Sequence, residues 1–459
     1  MLPQIYGLLP LATAAAVVLV GLADIFYRND KAAAYAVGAL FAALSAEGVI
    51  FLEFATSPLR LGLMYITPFT SFFMMLFGAA LLMVTLLSSS HPDKFGRFAM
   101  LSGFISAGII LIISGTSLIE LILALELISI STSFLILSGG KKRVEAATKF
   151  FILGGLSVSI FTFAMALILQ GNPSLSIAPM QPGLLTGIAL LVSILFAVAL
   201  SFEASLFPFN LWVPDVYEGS STDVTALLAG VNKKVAFVVI FEVFFVMLSA
   251  YRSEFSGIFA LLSIITMFFG NIIALVQDNV KRMFAYSAIS QAGYITIGLA
   301  VGTAFGLESS IFQIFAHTFM IIGAFAIVAM LESDNIKTYR EYSGLFYRNK
   351  FAAVSLSLIM LSMAGIPPLI GFDGKLFLFS SAVSSGMVYL AVIGIINSLI
   401  SIYYYIRLMG FMFTEKEARK LNMSRTTLAV VIISLFSVVA LGIYPTPVLH
   451  YAALASSFL

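Results

Sequence analysis

Ionisable side chains lie inside long apolar runs of this sequence, where they could take up and release protons. Four lysines and six acidic residues share this placement: Lys149, Lys233, Lys234, Lys375, Glu120, Glu126, Glu145, Glu203, Glu242 and Asp373. A lysine at the centre of a bilayer costs about 2.5–3.5 kcal/mol, so it is retained only where it faces water or a partner charge. A buried lysine also changes its protonation readily when a neighbouring charge moves. The series is therefore a candidate functional site within the membrane.

Simpler interpretations stay open for single members of this series. Each lysine and carboxylate could form a buried structural ion bridge, and Glu145 and Lys149 are four residues apart, as in a pair on one helix surface. Lys233 is a better candidate than Lys234, because only one of two consecutive residues faces a given interior wall. Periodicity alone does not decide between these two lysines.

The composition gives the setting for these charges. Of 459 residues, 61% are hydrophobic and 10% charged, with a mean hydropathy of +1.07, whereas a soluble domain has about 25% charged residues. These values exclude a soluble enzyme, a nucleic-acid binder and a disordered chain. The chain has no cysteine and three dispersed histidines, so thiolate-held zinc and cysteine-ligated iron–sulfur clusters are excluded and no cofactor site is predicted. Redox chemistry must then belong to partner chains.

The apolar runs predict an all-α polytopic membrane protein with about fourteen transmembrane helices, since about 20 apolar residues cross a bilayer. The predicted helices cover about 3–27, 32–53, 61–88, 97–114, 116–138, 146–170, 183–207, 222–250, 255–276, 282–301, 307–331, 351–382, 386–412 and 426–452. We number these predicted helices 1 to 14.

The basic residues of the loops predict the orientation. Loops after odd-numbered helices hold Arg28, Lys31, Lys94, Arg97, Lys141, Lys142, Arg143, Lys281, Arg282, Lys337, Arg340, Arg348, Lys350, Lys416, Arg419, Lys420 and Arg425. Loops after even-numbered helices hold only Arg60 and Arg252. The positive-inside rule then places the odd loops in the cytoplasm and both termini on the outer face of a cell membrane.

Two predicted helices are interrupted by residues that break helices. Helix 7 runs into Pro208, and helix 12 contains Pro367 and Pro368. Interrupted helices at matching places in two halves are typical of inverted-repeat transporters. Helices 4–8 and 9–13 are then two inverted five-helix repeats, because the two breaks are five helices apart. The predicted division is 1–96 for three N-terminal helices, 97–250 and 251–412 for the repeats, and 413–459 for a loop and helix 14.

Four stretches of the sequence stand out as motifs: LELISISTSFLILSGGKKRVEAATKFFILG (125–154), PFNLWVPDVYEGSSTDVTALLAGVNKK (208–234), VKRMFAYSAISQAGY (280–294) and LSMAGIPPLIGFDGKLFLF (361–379). Together they resemble one family, the antiporter-like, proton-pumping membrane subunits of respiratory complex I. The chain is most similar to the subunit N (subunit 2) branch, and the family is also similar to subunits of Mrp-type sodium/proton antiporters.

The resemblance implies a hydrated row of charges across the membrane centre. By motif position, its members are Glu126 of helix 5, Lys233 of helix 8 and Lys375 of broken helix 12. Glu203 stands where the family usually has a lysine in helix 7, so Glu126 and Glu203 could share a proton, or Lys149, Lys234 or a neighbouring helix could supply the missing cation. His317 of helix 11 lies between the two halves and could relay protons or be a structural histidine. Asn210 stands where many members have histidine.

The resemblance also implies a function. The chain is expected to be a proton-translocating subunit of a translocase, an NADH or other donor:quinone oxidoreductase of EC 7.1.1 type, driven by redox chemistry elsewhere. Quinone, flavin and iron–sulfur clusters are expected in partner subunits, with M-like and K-like membrane neighbours, and lipids between them. The alternatives are a Mrp-type sodium/proton antiporter subunit and a non-pumping scaffold of the membrane arm.

Overall fold

The computed structural model describes residues 2–54, 58–61, 64–89, 95–138, 142–169, 171–183, 185, 187–415 and 419–459. The loop residues Lys94, Lys141 and Lys416, used in the orientation prediction, lie outside these ranges. The described helices are α1 Leu2–Tyr27, α2 Asp30–Phe54, α3 Pro68–Ser88, α4 Phe95–Ser114, α5 Leu118–Leu137, α6 Arg143–Ile168, α7 Ala189–Ala204, α8 Trp212–Gly219, α9 Thr222–Leu227, α10 Lys233–Phe241, α11 Arg252–Leu275, α12 Val280–Val301, α13 Ala304–Ser333, α14 Leu345–Arg348, α15 Lys350–Ala364, α16 Ile370–Ser384, α17 Val388–Phe413, α18 Arg425–Ile443 and α19 Thr446–Ser456.

The predicted polytopic helical fold is confirmed. Within the described residues, twelve helical segments are long and apolar enough to cross a membrane, and α7 and α15 are shorter apolar helices. Predicted helices 1–6 correspond to α1–α6, helices 9–11 to α11–α13, and helices 13 and 14 to α17 and α18. The two shorter helices begin the interrupted helices 7 and 12. The count of fourteen transmembrane helices and the division into repeats stay predictions.

Two predicted helices differ from the structure. Predicted helix 3 does not begin at residue 61, because a hairpin of β1 (Leu59–Leu61) and β2 (Met64–Ile66) precedes it, paired antiparallel with Leu59 opposite Ile66. The helix begins at Pro68, whose missing amide hydrogen is not needed in a first turn. Predicted helix 14 is divided near Pro445 into α18 and α19, because proline cannot donate to the preceding turn.

Both predicted helix breaks are present. α7 ends at Ala204, with Ser205 in the left-handed region (φ 61°), and α8 follows beyond Pro208. α15 ends at Ala364, and Gly365 (φ 90°) turns the chain towards α16. A left-handed residue after the last turn is a common way to end a helix, and glycine adopts it without a side-chain clash.

The centre of the protein is formed by predicted helix 8 together with α12 and α13. Predicted helix 8 consists of α9 and α10, separated by a π-helical turn at Leu228–Asn232 and followed by a second at Glu242–Met247. The most apolar stretch of this segment is completely buried, and those of α12 and α13 are 94% buried. A helix buried on all sides faces other helices and not lipid. The polar side chains of these three elements therefore face the interior of the protein.

Candidate functional site

The break in helix 12 leaves two backbone carbonyls inside the protein without their helical amide donors. In a continuous helix the carbonyls of Met363 and Ala364 would accept from the amides of residues 367 and 368. Both of those residues are prolines, which have no amide hydrogen. The two carbonyls are therefore available to side chains, and the structure shows both of them in use.

Lys375 binds one of these carbonyls. Its Nζ donates to the Ala364 carbonyl at 3.0 Å and to Ser398 Oγ at 2.8 Å, and it lies 4.6 Å from the centroid of the Tyr294 ring. The residue is 3% exposed. Among the described residues no carboxylate forms an ion pair with Lys375, including Asp373 two positions before it. Neutral dipoles and an aromatic face thus solvate this ammonium group.

Lys233 and Lys234 begin α10, directly after the first π-helical turn. Lys233 Nζ donates to the Ala288 carbonyl of α12 at 3.2 Å, and Lys234 Nζ lies 2.7 Å from His317 Nδ1 of α13. Both lysines are buried, against two different walls. The preference for Lys233 stays a prediction, while Lys234 is the lysine that contacts the histidine.

His317 links the predicted charges. It is completely buried in α13 and lies within electrostatic range of Lys233, Lys234 and Lys375. Its hydrogen bond to Lys234 brings the two neighbouring elements, α10 and α13, into direct polar contact. An imidazole with two ring nitrogens can accept a proton at one and release a proton from the other. His317 thus contacts one lysine of helix 8 and lies within electrostatic range of the lysine of helix 12.

Two buried glutamines join this site, and the sequence analysis missed them. Gln313 Nε2 donates to Gln291 Oε1 at 2.9 Å, and Gln291 Nε2 donates to the freed Met363 carbonyl at 3.1 Å. Gln291 belongs to the third motif, and Gln313 lies one turn before His317 on α13. A glutamine inside an apolar run is itself a signal, because its amide needs partners in the membrane.

Three acidic members of the series, Glu126, Glu203 and Glu242, lie on elements other than those of the lysine–histidine contact or in a different turn. Glu203, in the last turn of α7, is buried and within electrostatic range of the half-buried Glu126 of α5. Glu242 is buried in the second π-helical turn, and its Oε2 has no hydrogen-bond partner among the described residues. The structure does not place Glu242 in ion-pair contact with any described lysine or arginine.

Lys149 belongs to a separate charge network. Its Nζ lies 2.7 Å from Glu145 Oε1, the i,i+4 partner expected from the sequence, and 2.7 Å from Asp215 Oδ2 of α8. Arg282 Nη1 contacts Asp215 Oδ1 at 3.0 Å and Glu218 Oε2 at 2.8 Å. Lys149 is therefore engaged on Asp215, and no described contact joins it to Glu203.

Asp215 and Glu218 lie on α8, outside the twelve candidate spans. Burial alone would raise the pKa of the Asp215 carboxyl, but hydrogen bonds from Lys149 and Arg282 outweigh burial and lower that pKa. The pKa of Glu218 is lowered in the same way, since Arg282 and Lys142 together outweigh its burial. Both side chains are therefore held as carboxylates between α6 and α12.

A polar cavity of about 480 Å³ opens beside this network. Its lining includes Lys281, Glu332 and Ser220, with Lys281 Nζ 2.8 Å from the Ser220 carbonyl and 3.2 Å from Glu332 Oε2. The cavity lies among loops after odd-numbered predicted helices, the face predicted to be cytoplasmic. Among the described residues, no three acidic or histidine side chains are placed to hold a metal ion.

The family model described as NADH:quinone oxidoreductase/Mrp antiporter, TM, matches residues 115–401, the region that contains all of the buried site. F(420)H(2) dehydrogenase subunit N of Methanosarcina mazei is 35% identical over 420 residues, covering 85% of this chain and 84% of the relative. NADH-quinone oxidoreductase subunit N of Desulforamulus reducens is 34% identical over 441 residues, covering 92% and 91%.

A solved structure is similar over almost its whole length. A chain of respiratory complex I from Thermus thermophilus, solved with bound Aureothin, is 28% identical with a TM-score of 0.83, covering 97% of this chain and 99% of that one. The match extends over the central helices and both broken helices, so the buried site lies in the part of the fold that the two share. This chain therefore belongs to the NADH:quinone oxidoreductase/Mrp antiporter family of membrane subunits.

Proposed function

We propose that this chain is a proton-translocating membrane subunit of a complex I-type quinone oxidoreductase. The observation that supports the proposal most directly is the buried contact of Lys234 with His317, which lies within electrostatic range of Lys375 at the break of helix 12. Three groups that bind protons, placed on α10, α13 and α16, form a lateral series. Buried ionisable groups in a membrane are maintained for such transfer.

In this proposal protons enter at the polar cavity on the predicted cytoplasmic face. They pass Glu203 and Glu126 to the lysines of helix 8, cross by His317 to Lys375, and leave on the outer face. Carbonyl and hydroxyl dipoles solvate the Lys375 ammonium, and no described carboxylate forms an ion pair with it. A neighbouring positive charge on His317 then drives release, since like charges disfavour each other at short range.

The energy comes from other chains in this proposal. Moving one proton against 100 mV costs about 2.3 kcal/mol, and quinone reduction in partner subunits supplies it. Quinone, flavin and iron–sulfur clusters belong to those subunits, and M-like and K-like subunits are the membrane neighbours, with lipids between them. The whole complex lies in the cell membrane, with both termini of this chain on the outer face.

The test is proton uptake by the intact complex reconstituted in liposomes, followed with a pH-sensitive fluorescent dye during quinone reduction. Lys375→Ala and Lys234→Ala are each expected to lower the uptake rate more than tenfold, because each removes a proton carrier. Lys350→Ala is the matched control, since this lysine is exposed at the start of α15. Normal uptake by both path variants would leave only a scaffold function.

A sodium/proton antiporter subunit is the second candidate, because the matching family model includes Mrp antiporter subunits. The purified complex distinguishes the two. Iron–sulfur absorbance with quinone-reductase activity supports the proposed function. Cation-stimulated proton exchange without either supports the antiporter.

A further inference from the structure

The hydrogen bonds of Gln291 and Gln313 fix the orientation of both amides. A carbonyl accepts only, so the Gln291 atom bound to the Met363 carbonyl must be its nitrogen. The remaining Gln291 atom is then its oxygen, which must accept from the Gln313 nitrogen. The prolines leave the Met363 carbonyl without its helical donor, and two hydrogen bonds then fix the orientation of both amides. As a result, the Gln313 side-chain oxygen is the atom at the end of this hydrogen-bond series that accepts no bond from it.

This oxygen lies against the backbone of Gly374, the residue directly before Lys375. Gln313 Oε1 occupies the space over Gly374, where any Cβ atom would collide with it. It is completely buried and has no hydrogen-bond partner among the described residues. An unpaired acceptor in such a place is unfavourable, so its retention indicates that a donor binds there during function.

His317 presents a second unpaired atom one turn along α13. Its Nδ1 contacts Lys234, so Nε2 lies on the opposite side of the ring, and Nε2 has no partner among the described residues. When Lys234 is an ammonium, Nδ1 accepts and Nε2 carries the hydrogen of the neutral ring. A donor at His317 and a fixed acceptor at Gln313 thus belong to residues four apart on α13, which lie on one face of that helix.

We propose that Gln313, oriented by Gln291, is a positioning residue for the lateral proton step, holding the water molecule that carries the proton from His317 to Lys375. This inference rests on the proposed function. Lys234 gives a proton to Nδ1, Nε2 releases its proton to the water, and the water passes a proton to the amine of Lys375. One proton enters the ring and one leaves it, and the Gln313 oxygen accepts a hydrogen bond from the water throughout.

An amide suits this position because it does not ionise. A carboxylate beside Lys375 would pair with the ammonium and hold its proton, whereas an amide oxygen orients a donor without adding charge. The titratable groups on α13 and on the elements packed against it include His317 of α13, Asp373 and Lys375 of α16, Tyr294 of α12, and Lys233 and Lys234 of α10.

The experiment compares three variants in the reconstituted intact complex. Gln313→Leu keeps the volume and removes the acceptor, and its uptake rate is expected to fall about tenfold, the value of one hydrogen bond to a charged group. Gln313→Glu is expected to move the pH of half-maximal uptake upwards by about one pH unit, because it stabilises the charged form of Lys375. Ser310→Ala is the matched control, because it removes a buried hydrogen bond between the same two helices, to the Ile295 carbonyl, outside the path.

The outcomes separate this inference from the proposed function. Uptake by Gln313→Leu within twofold of the unaltered complex, or an unshifted pH profile for Gln313→Glu, overturns the inference; if Lys375→Ala still abolishes uptake, the proposed function stands. If Lys375→Ala pumps normally, both fail. Should Gln313→Leu not assemble, the pH profile of Gln313→Glu decides, since an unshifted profile would show that the side chain at position 313 does not act on Lys375.

Discussion

At the scale of single residues, Glu203 stands where the resemblance to the family implies a lysine. It places a carboxylate in the last turn of α7, within electrostatic range of Glu126. Two negative charges at short range repel, which favours one proton shared by the pair. Lys149 does not supply the missing cation, because its ammonium is bound by Asp215 and Glu145.

A double-mutant cycle tests this shared proton. Glu126→Gln and Glu203→Gln are each expected to lower proton uptake by the reconstituted complex about tenfold, because either one removes the shared site. The double variant is expected to be no slower than either single one, since residues acting as a unit are not additive. Glu254→Gln, at a partly exposed position in the first turn of α11, is the control. Losses that multiply in the double variant would contradict a shared site.

The sequence predicted the charged residues of the site but not its uncharged polar residues. Lysines in apolar runs stand out because their burial is expensive, and the structure indeed buries Lys233, Lys234 and Lys375. Which of the first two faces which wall depends on the π-helical turn at 228–232, and no propensity rule predicts that turn. Gln291 and Gln313 were missed because an uncharged amide does not stand out in a count of charges.

At the scale of elements, the charge network ties α8 to its neighbours. Asp215 bridges Lys149 of α6 and Arg282 of α12. Asp215 lies between the break of helix 7 and the start of helix 8. The network therefore holds in place the segment that joins Glu203 of helix 7 to Lys233 and Lys234 of helix 8. Ion pairs in networks stabilise more than isolated surface pairs do.

Replacing Asp215 with asparagine is expected to destabilise the complex in a pH-dependent way. The loss in unfolding free energy at pH 7 is expected to be about 1 kcal/mol. The pKa of Asp215 is lower in the folded chain than its ordinary value of about 3.9. Its stabilisation is therefore complete above about pH 5 and is lost as the pH falls through the folded-state pKa. Thermal unfolding of the solubilised complex at pH 7, 5 and 3 measures this.

The matched control for this substitution is Asp278→Asn. Asp278 is 78% exposed and has one described ion pair, to Arg407 at 3.0 Å, so its loss is expected to change the unfolding temperature little at any pH. An Asp215→Asn variant as stable as the unaltered complex at pH 7 would show that the network is not stabilising. A difference that persists undiminished at pH 3 would show that the charge is not its cause.

Elements were predictable wherever their cause is local in the sequence. The breaks at Pro208 and at Pro367 and Pro368 follow from missing amide hydrogens, and the structure confirms both. The β1–β2 hairpin was missed because its short apolar strands resemble the start of the following helix. The division at Pro445 was missed because the apolar run continues on both sides of it.

At the scale of the whole molecule, the orientation in the membrane is predicted from the few charged residues that lie in loops. The loop lysines and arginines predict that the end of α13 faces the cytoplasm and the end of α19 faces outwards. If that orientation holds, the polar cavity beside Lys281 and Glu332 is the cytoplasmic entrance. Reversing the orientation would turn the proposed entrance into an exit.

The chain has no cysteine, so single introduced thiols report its orientation without background. Ser333→Cys, at the exposed end of α13, and Ser457→Cys, at the exposed C-terminal turn, make a matched pair. In intact cells a membrane-impermeant maleimide is expected to label residue 457 and to leave residue 333 unlabelled. Residue 333 is expected to react only after the cells are opened, because the charged reagent does not cross the hydrocarbon core. The reverse pattern in intact cells would invert the direction of the proposed proton path.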